Sequence, residues 1–271
     1  MKTKTLIRAF LFAITVVSAA CDKTDDSEFT DSPIIESYLK PGDYLNAKIS
    51  RQEPFSSNAV LSPDDINNLK VSVTLSDNTI HALLPIGNEE YVDSSIKVNQ
   101  GDKYSLSFKY NSKNVTAYTY VPLKPTGAAQ SVKEISIQKM TSTSFDPTAS
   151  MPDPVEISWN NPDNSYYLLV VENVETNLDP IRDFGGKTPP SNFFRKQPTN
   201  AASQEIRAME FQYYGTHRII IYHVLPDYAA LYNQSSASSQ NLTNPSSSIT
   251  NGYGIFTGLN SDTLWLKVKQ K

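Results

Sequence analysis

The chain predicts a mainly β protein: two β-sandwich domains in tandem, with one short helix in the second. Three observations predict it. Fifteen tyrosines, seventeen prolines and abundant Ser, Thr and Asn favour short strands joined by turns. Apolar residues alternate at period two, as in Leu69-Lys70-Val71-Ser72-Val73-Thr74-Leu75, while helical periodicity is scarce. Setting aside an N-terminal signal leaves about 250 residues, which at ~100–150 residues per domain makes two units.

The N-terminus is read first. Lys2, Lys4 and Arg8 form a basic start, Ala9 to Val17 an apolar run too short to span a bilayer, and Val17-Ser18-Ala19-Ala20-Cys21 a small-residue exit ending in the chain's one cysteine. Residues 1–20 therefore read as a lipoprotein signal, with Cys21 as the lipidated first residue of the mature chain. Several acyl chains there, at roughly 0.8 kcal/mol per buried CH₂, would make attachment permanent. With its one thiol acylated, the fold is expected to be disulfide-free. Ser18, where lipoboxes usually carry Leu, leaves ordinary secretory cleavage with a free Cys21 as the alternative. Residues 21–31 are a polar, acidic, flexible linker. Within it Asp22, Lys23, Asp25 and Asp26 resemble the acid-rich export signal that sends Bacteroidetes lipoproteins to the outer face of the outer membrane. Net charge −4 and a pI near 5.4 offer no basic stripe for nucleic acid, and no second apolar run approaches the ~20 residues of a membrane helix.

The first domain is expected over residues 32–123. Pro33 to Leu39 and Tyr44 to Ser50 form a hairpin across a Pro41-Gly42-Asp43 turn, and Leu69 to Leu75 turns at Ser76-Asp77-Asn78 into Thr79 to Leu84. Tyr104 to Tyr110 and Val115 to Val121 make a last pair. Six or seven such strands bury their inner faces only as two facing sheets, an immunoglobulin-like or transthyretin-like sandwich. Gly101-Asp102-Lys103-Tyr104 resembles the approach to the final hairpin in carboxypeptidase-regulatory-type sandwiches. Asp64 and Asp65 lack the regular ligand spacing of a calcium loop and read as a solvated loop.

Pro122, Pro125 and Gly127 mark a boundary that few contacts should cross, and residues 124–271 form the second domain. Strands are expected over Val132 to Ile137, Pro154 to Trp159 and Tyr166 to Glu172. Trp159, then Asn160-Asn161-Pro162 and a Tyr-rich strand, resembles the second and third strands of fibronectin III-like domains, with Trp159 in the core. The inserted loop 178–203 is long by domain standards, and its Phe193, Phe194, Arg195 and Lys196 are a candidate partner contact, unless the phenylalanines fold back onto the sandwich. Glu205 to Tyr213 and His217 to Val224 are read as two strands with a turn at Gly215. His217 and His223 share a strand face but lie roughly 20 Å apart, too far to share a metal. Residues 226–234 are the one helix, with Pro226 in its first turn and Tyr228, Leu231 and Tyr232 on one face. No Ser-His-Asp set or paired carboxylates stand out, so no enzyme, cofactor or metal is expected.

The lipobox, Pro33-Ile34-Ile35-Glu36, Ile49-Ser50-Arg51, Val121-Pro122 and Asn244-Pro245, followed by Asn251-Gly252-Tyr253-Gly254-Ile255-Phe256, together resemble the Bacteroidetes outer-membrane lipoproteins catalogued as domain of unknown function 4249. Ser37-Tyr38 and Ser246 depart from the family pattern. The resemblance spans the mature chain and implies a lipid-anchored, surface-exposed outer-membrane protein whose partner is a TonB-dependent receptor, with no established activity and no functional residues to carry over. On that footing the expected function is non-enzymatic help in nutrient capture. A structural or fimbrial-type adhesive subunit is a second reading, disfavoured because no Arg lies between Cys21 and Pro33. A hydrolase or carbohydrate-binding module is a third, favoured if the fold shows a pocket rimmed by exposed Tyr or Trp.

Overall fold

Alternation in Pro33–Leu39 (β1) and Tyr44–Arg51 (β2) sends Ile35, Leu39, Leu45, Ala47 and Ile49 to one side, and each is at most 1% exposed. The two pair antiparallel, with Ile35 opposite Ile49, across a turn in which Gly42 takes φ +87°. This is the expected hairpin. The computed structural model describes residues 31–53, 61–141, 151–183, 191–233 and 247–271. Cys21, Asp22, Lys23, Asp25 and Asp26, and most of the inserted loop's Gly- and Pro-rich middle, lie outside the described residues.

Val71–Leu75 (β3), Ile80–Gly87 (β4), Glu90–Lys97 (β5), Lys103–Tyr110 (β6) and Lys113–Tyr120 (β7) complete the first core. β4 changes sheets partway. Ile80 to Leu83 pair with β3, Leu84 to Gly87 with β5, and the register breaks at Pro85–Gly87, where proline has no N–H to continue a ladder. β5 is absent from the sequence reading because its eight residues bury only Tyr91 fully. That phenol substitutes for an apolar stripe: it accepts the Leu69 N–H (3.0 Å) and donates to the Ile66 carbonyl.

Ala129–Gln130 (β8), Glu134–Ile137 (β9), Met140–Thr141 (β10), Val155–Ser158 (β11), Tyr166–Asn173 (β12), Asp179–Pro180 (β13), Arg182–Asp183 (β14), Phe193–Arg195 (β15), Ser203–Ile206 (β16) and Tyr213–Val224 (β17) follow. Then come the helix Pro226–Asn233 (α1), Ile249–Thr250 (β18) and Tyr253–Gln270 (β19). The sheet β15-β12-β17-β19 closes over the three-stranded sheet β16-β11-β8, enclosing a second core in which Trp159 is 3% exposed. The fold is thus mainly β and sandwich-type, with α1 as its one α-helix among the described residues.

Two expectations are corrected. Gly215 is no turn: β17 runs unbroken through it at φ +115°, opposite Val268, and the Glu175 side chain fills the space a Cβ would need. Nor is the boundary at Pro122–Gly127 one that few contacts cross. β19 pairs parallel with β1 from Tyr253 to Gly258, then antiparallel with β17 from Leu259 to Val268, so one strand serves both cores. Asn260 donates to the Pro122 carbonyl (3.0 Å), a His223 ring nitrogen lies 3.0 Å from the Leu123 carbonyl, and Lys124 pairs with Asp262 (2.9 Å), pinning the connection. Ser32–Gln52 and Pro63–Lys271 accordingly form one compact unit.

Candidate functional site

Six apolar residues in a row, Tyr166 to Val171, open β12. A strand with one wet face would alternate, so such a run implies burial on both faces. Tyr167, Leu169 and Val171 enter the second core, while Leu168 meets Val224 and Leu259 in a separate cluster on the opposite face. What covers that face is α1, whose Tyr228 and Tyr232 pack against the cluster. The helix is tied down by its first turn. Asp227 Oδ1 accepts the Thr257 hydroxyl (3.0 Å) and the Tyr228 N–H (2.8 Å).

α1 leaves a cleft of about 400 Å³ beside it. Leu168, Val170, Val224 and Leu259 form its floor; Tyr38 of β1, Tyr222 of β17, Tyr228 of α1 and Phe193 of β15 form its walls. Tyr38 meets Tyr228 edge to face at 6.1 Å, and Tyr228 meets Tyr232 at 6.0 Å. Two cations, Lys40 and Arg195, also line it, and no carboxylate does. Among the described residues neither cation is ion-paired; Glu172, next to Phe193 in register, is committed to Arg218 (2.5 Å). Burial pushes the phenols of Tyr38, Tyr222 and Tyr228 above their ordinary value, with Glu36 adding to it at Tyr38 and Tyr232 at Tyr228, so all three remain protonated donors. The Tyr232 hydroxyl, with Tyr228 behind it, holds the Arg195 guanidinium above its own.

The predicted patch Phe193, Phe194, Arg195 and Lys196 is split by strand alternation. Phe194 turns inward, edge-on to Phe211 at 5.9 Å, and Lys196 is held by both Glu210 oxygens at 2.6 and 2.8 Å. Phe193, 49% exposed, and Arg195 face the cleft instead. Sequence reasoning missed Tyr38, Lys40, Tyr222 and Tyr228 as site residues; the uninterrupted apolar run of β12 was the available signal.

Asn251, Gly252, Tyr253, Gly254, Ile255 and Phe256 lie at the splice between cores. Asn251, at φ +59°, donates to the Asn114 carbonyl (2.8 Å), and Gly254, at φ +98°, lets β19 approach β1 so closely that a Cβ would stand 2.1 Å from the Ile35 oxygen. Ile255 and Phe256 are buried beyond it, Phe256 completely. These residues join the sheet rather than line the cleft.

A second hollow of about 560 Å³, over β2 and β5, is lined by the carboxylates Glu36, Asp43 and Glu90 and by Lys48 and Lys97, of which Lys97 donates to the Gly42 carbonyl (2.9 Å) and lies 5.0 Å over the Tyr44 ring. His217 is buried under Phe211, with Nδ1 3.2 Å from the Gly215 carbonyl and Nε2 3.4 Å from the Asn173 amide nitrogen; burial lowers its pKa to about 4. His223 stacks on Tyr167 at 4.8 Å. Asp64 and Asp65 fasten loops to Asn111 and to Asn67 and Asn68, so that loop is hydrogen-bonded rather than merely solvated. Among the described residues, no group of three His, Cys, Asp or Glu could hold a metal ion, and no helix is long and apolar enough to cross a membrane.

No family model and no curated protein matches the chain. Among solved structures it is similar to a crystal structure of the FN1-FN3 domains of chicken CNTN1, at 12% identity with a TM-score of 0.24. That alignment takes in 88% of this chain and 65% of the other, so the chain spans less than two thirds of that structure.

Proposed function

We propose that this chain is a non-enzymatic, lipid-anchored protein of the outer-membrane surface, of the kind catalogued as domain of unknown function 4249. It serves a TonB-dependent receptor by capturing a nutrient. The observation that carries the binding role is the cleft under α1, a concave, largely apolar site with a few convergent polar groups and the size of a small-molecule pocket. The anchor at Cys21 and the receptor partnership rest on the N-terminal signal and on the family resemblance. Purification from detergent-solubilised outer membranes tests both. Mass spectrometry is expected to find Cys21 acylated and a receptor co-eluting. An unmodified thiol, or a lone monomer under every limiting nutrient tried, overturns the reading.

Carbohydrate binding is the second reading. Tyr38, 39% exposed at the mouth of the cleft, offers a ring for a sugar to stack on. Saturable binding of a neutral oligosaccharide, lost in Tyr38→Ala, would favour it.

A further inference from the structure

We propose that the cleft under α1 binds a small organic acid, a flat apolar ring bearing a carboxylate, with the ring between Tyr38 and Phe193 over the aliphatic floor and the carboxylate between Arg195 and Lys40. The proposal rests on the capture role above and names its ligand class.

Three features converge on that chemistry. The floor is aliphatic and the walls aromatic, so the body of the ligand must be apolar and thin enough to stack. The polar side chains that face it, Arg195, Lys40 and the protonated phenols of Tyr38, Tyr222 and Tyr228, all offer donors. A neutral sugar brings a donor with every hydroxyl, and carboxylates or amides answer those donors best. Here none of the lining side chains is Asp, Glu, Asn or Gln. An acid supplies acceptors alone. Finally, both cations lack a carboxylate partner among the described residues, whereas Lys196, one position from Arg195, is neutralised by Glu210.

Calorimetric titration of the purified chain with naphthoate, its neutral isostere naphthylmethanol, and maltotriose tests the idea. Naphthoate is expected to bind at least tenfold more tightly than naphthylmethanol, and this preference should shrink with added salt. Arg195→Gln and Lys40→Gln, both at exposed positions that leave the fold intact, should each weaken naphthoate about tenfold and leave naphthylmethanol unchanged. Tyr38→Ala should weaken both. Equal affinity for the acid and the alcohol, or indifference to Arg195→Gln, overturns the proposal. Binding of maltotriose alone overturns it too but leaves a capture role standing. If no probe binds at millimolar concentration, the proposal falls and the cleft ceases to support capture, while the receptor and lipid assays still decide the anchor and partnership on their own.

Discussion

Single residues here decide more than their type suggests, and glycine is the clearest case. Gly254→Ala would set a methyl 2.1 Å from the Ile35 oxygen at φ +98°, forcing β1 and β19 apart. A loss of at least about 3 kcal/mol in urea unfolding is expected, against about 1 kcal/mol for Gly42→Ala, where the φ is similar but nothing lies within 4 Å. Similar losses for the two would refute the close-approach argument. His217 makes the second prediction at this scale. Its folded pKa of about 4 lies below the ordinary 6.5, so its neutral form is the one the fold accepts. Stability from this group is full above pH 6.5 and falls as pH drops towards 4, because only the unfolded chain takes up the proton there. The whole change amounts to about 3 kcal/mol. His217→Gln should flatten the fall in urea midpoint between pH 7 and pH 4, leaving the smaller contribution of His223, also held down by burial. Glu175, lowered to about 2 by the Thr216 N–H and Lys267, acts in the same direction, but between 4.5 and about 2. None of these roles was legible in the sequence. A glycine's necessity and part of a histidine's burial depend on neighbours forty or more positions away, as Ile35 is from Gly254 and Asn173 from His217.

At the scale of elements, most strands were legible because one wet face imposes period-two patterning, as in β1, β2, β3 and β6. The exceptions share a cause: their contacts are not apolar stripes. β5 is held by one hydrogen-bonded tyrosine, and β15 is three residues long inside a loop. Yet β15 determines how the Phe-Phe-Arg-Lys segment is divided. Phe194→Ala should cost about 2 kcal/mol by emptying the space beside Phe211, whereas Phe193→Ala should leave stability within about 0.5 kcal/mol. Chemical denaturation of the two variants checks this, and the reverse order would mean that β15 is paired one residue out of register. The helix was legible from Pro226 and the Tyr228, Leu231, Tyr232 spacing. What it covers was not, since a helix face names no partner.

For the whole molecule the consequential element is β19, which hydrogen-bonds to β1 with its first third, to β17 over Leu259 to Val268 and to β9 at its end. Two cores that share a strand should unfold together. Trp159 is buried in the second core and Trp265 lies on β19 where it pairs with β17, outside the first core, so tryptophan fluorescence and the far-UV circular dichroism of the entire chain are expected to trace one coincident urea transition. Phe256→Ala, in the first core, should lower the midpoint seen by tryptophan by the equivalent of about 3 kcal/mol. Two separated transitions would show that the cores are independent. Composition and alternation by themselves determined that this chain is built of sandwiched strands with one helix, because a local pattern dictates which face of each strand leaves water. Tertiary structure alone decided that one long strand fastens the cores together, and that Tyr38, Lys40, Phe193, Arg195 and Tyr228 surround one cleft. Those side chains come from β1 and the residue that follows it, from β15 and from α1, segments about 35 to 190 positions apart in the chain, and only long-range pairing across β19, β17 and β12, which periodicity does not encode, brings them together.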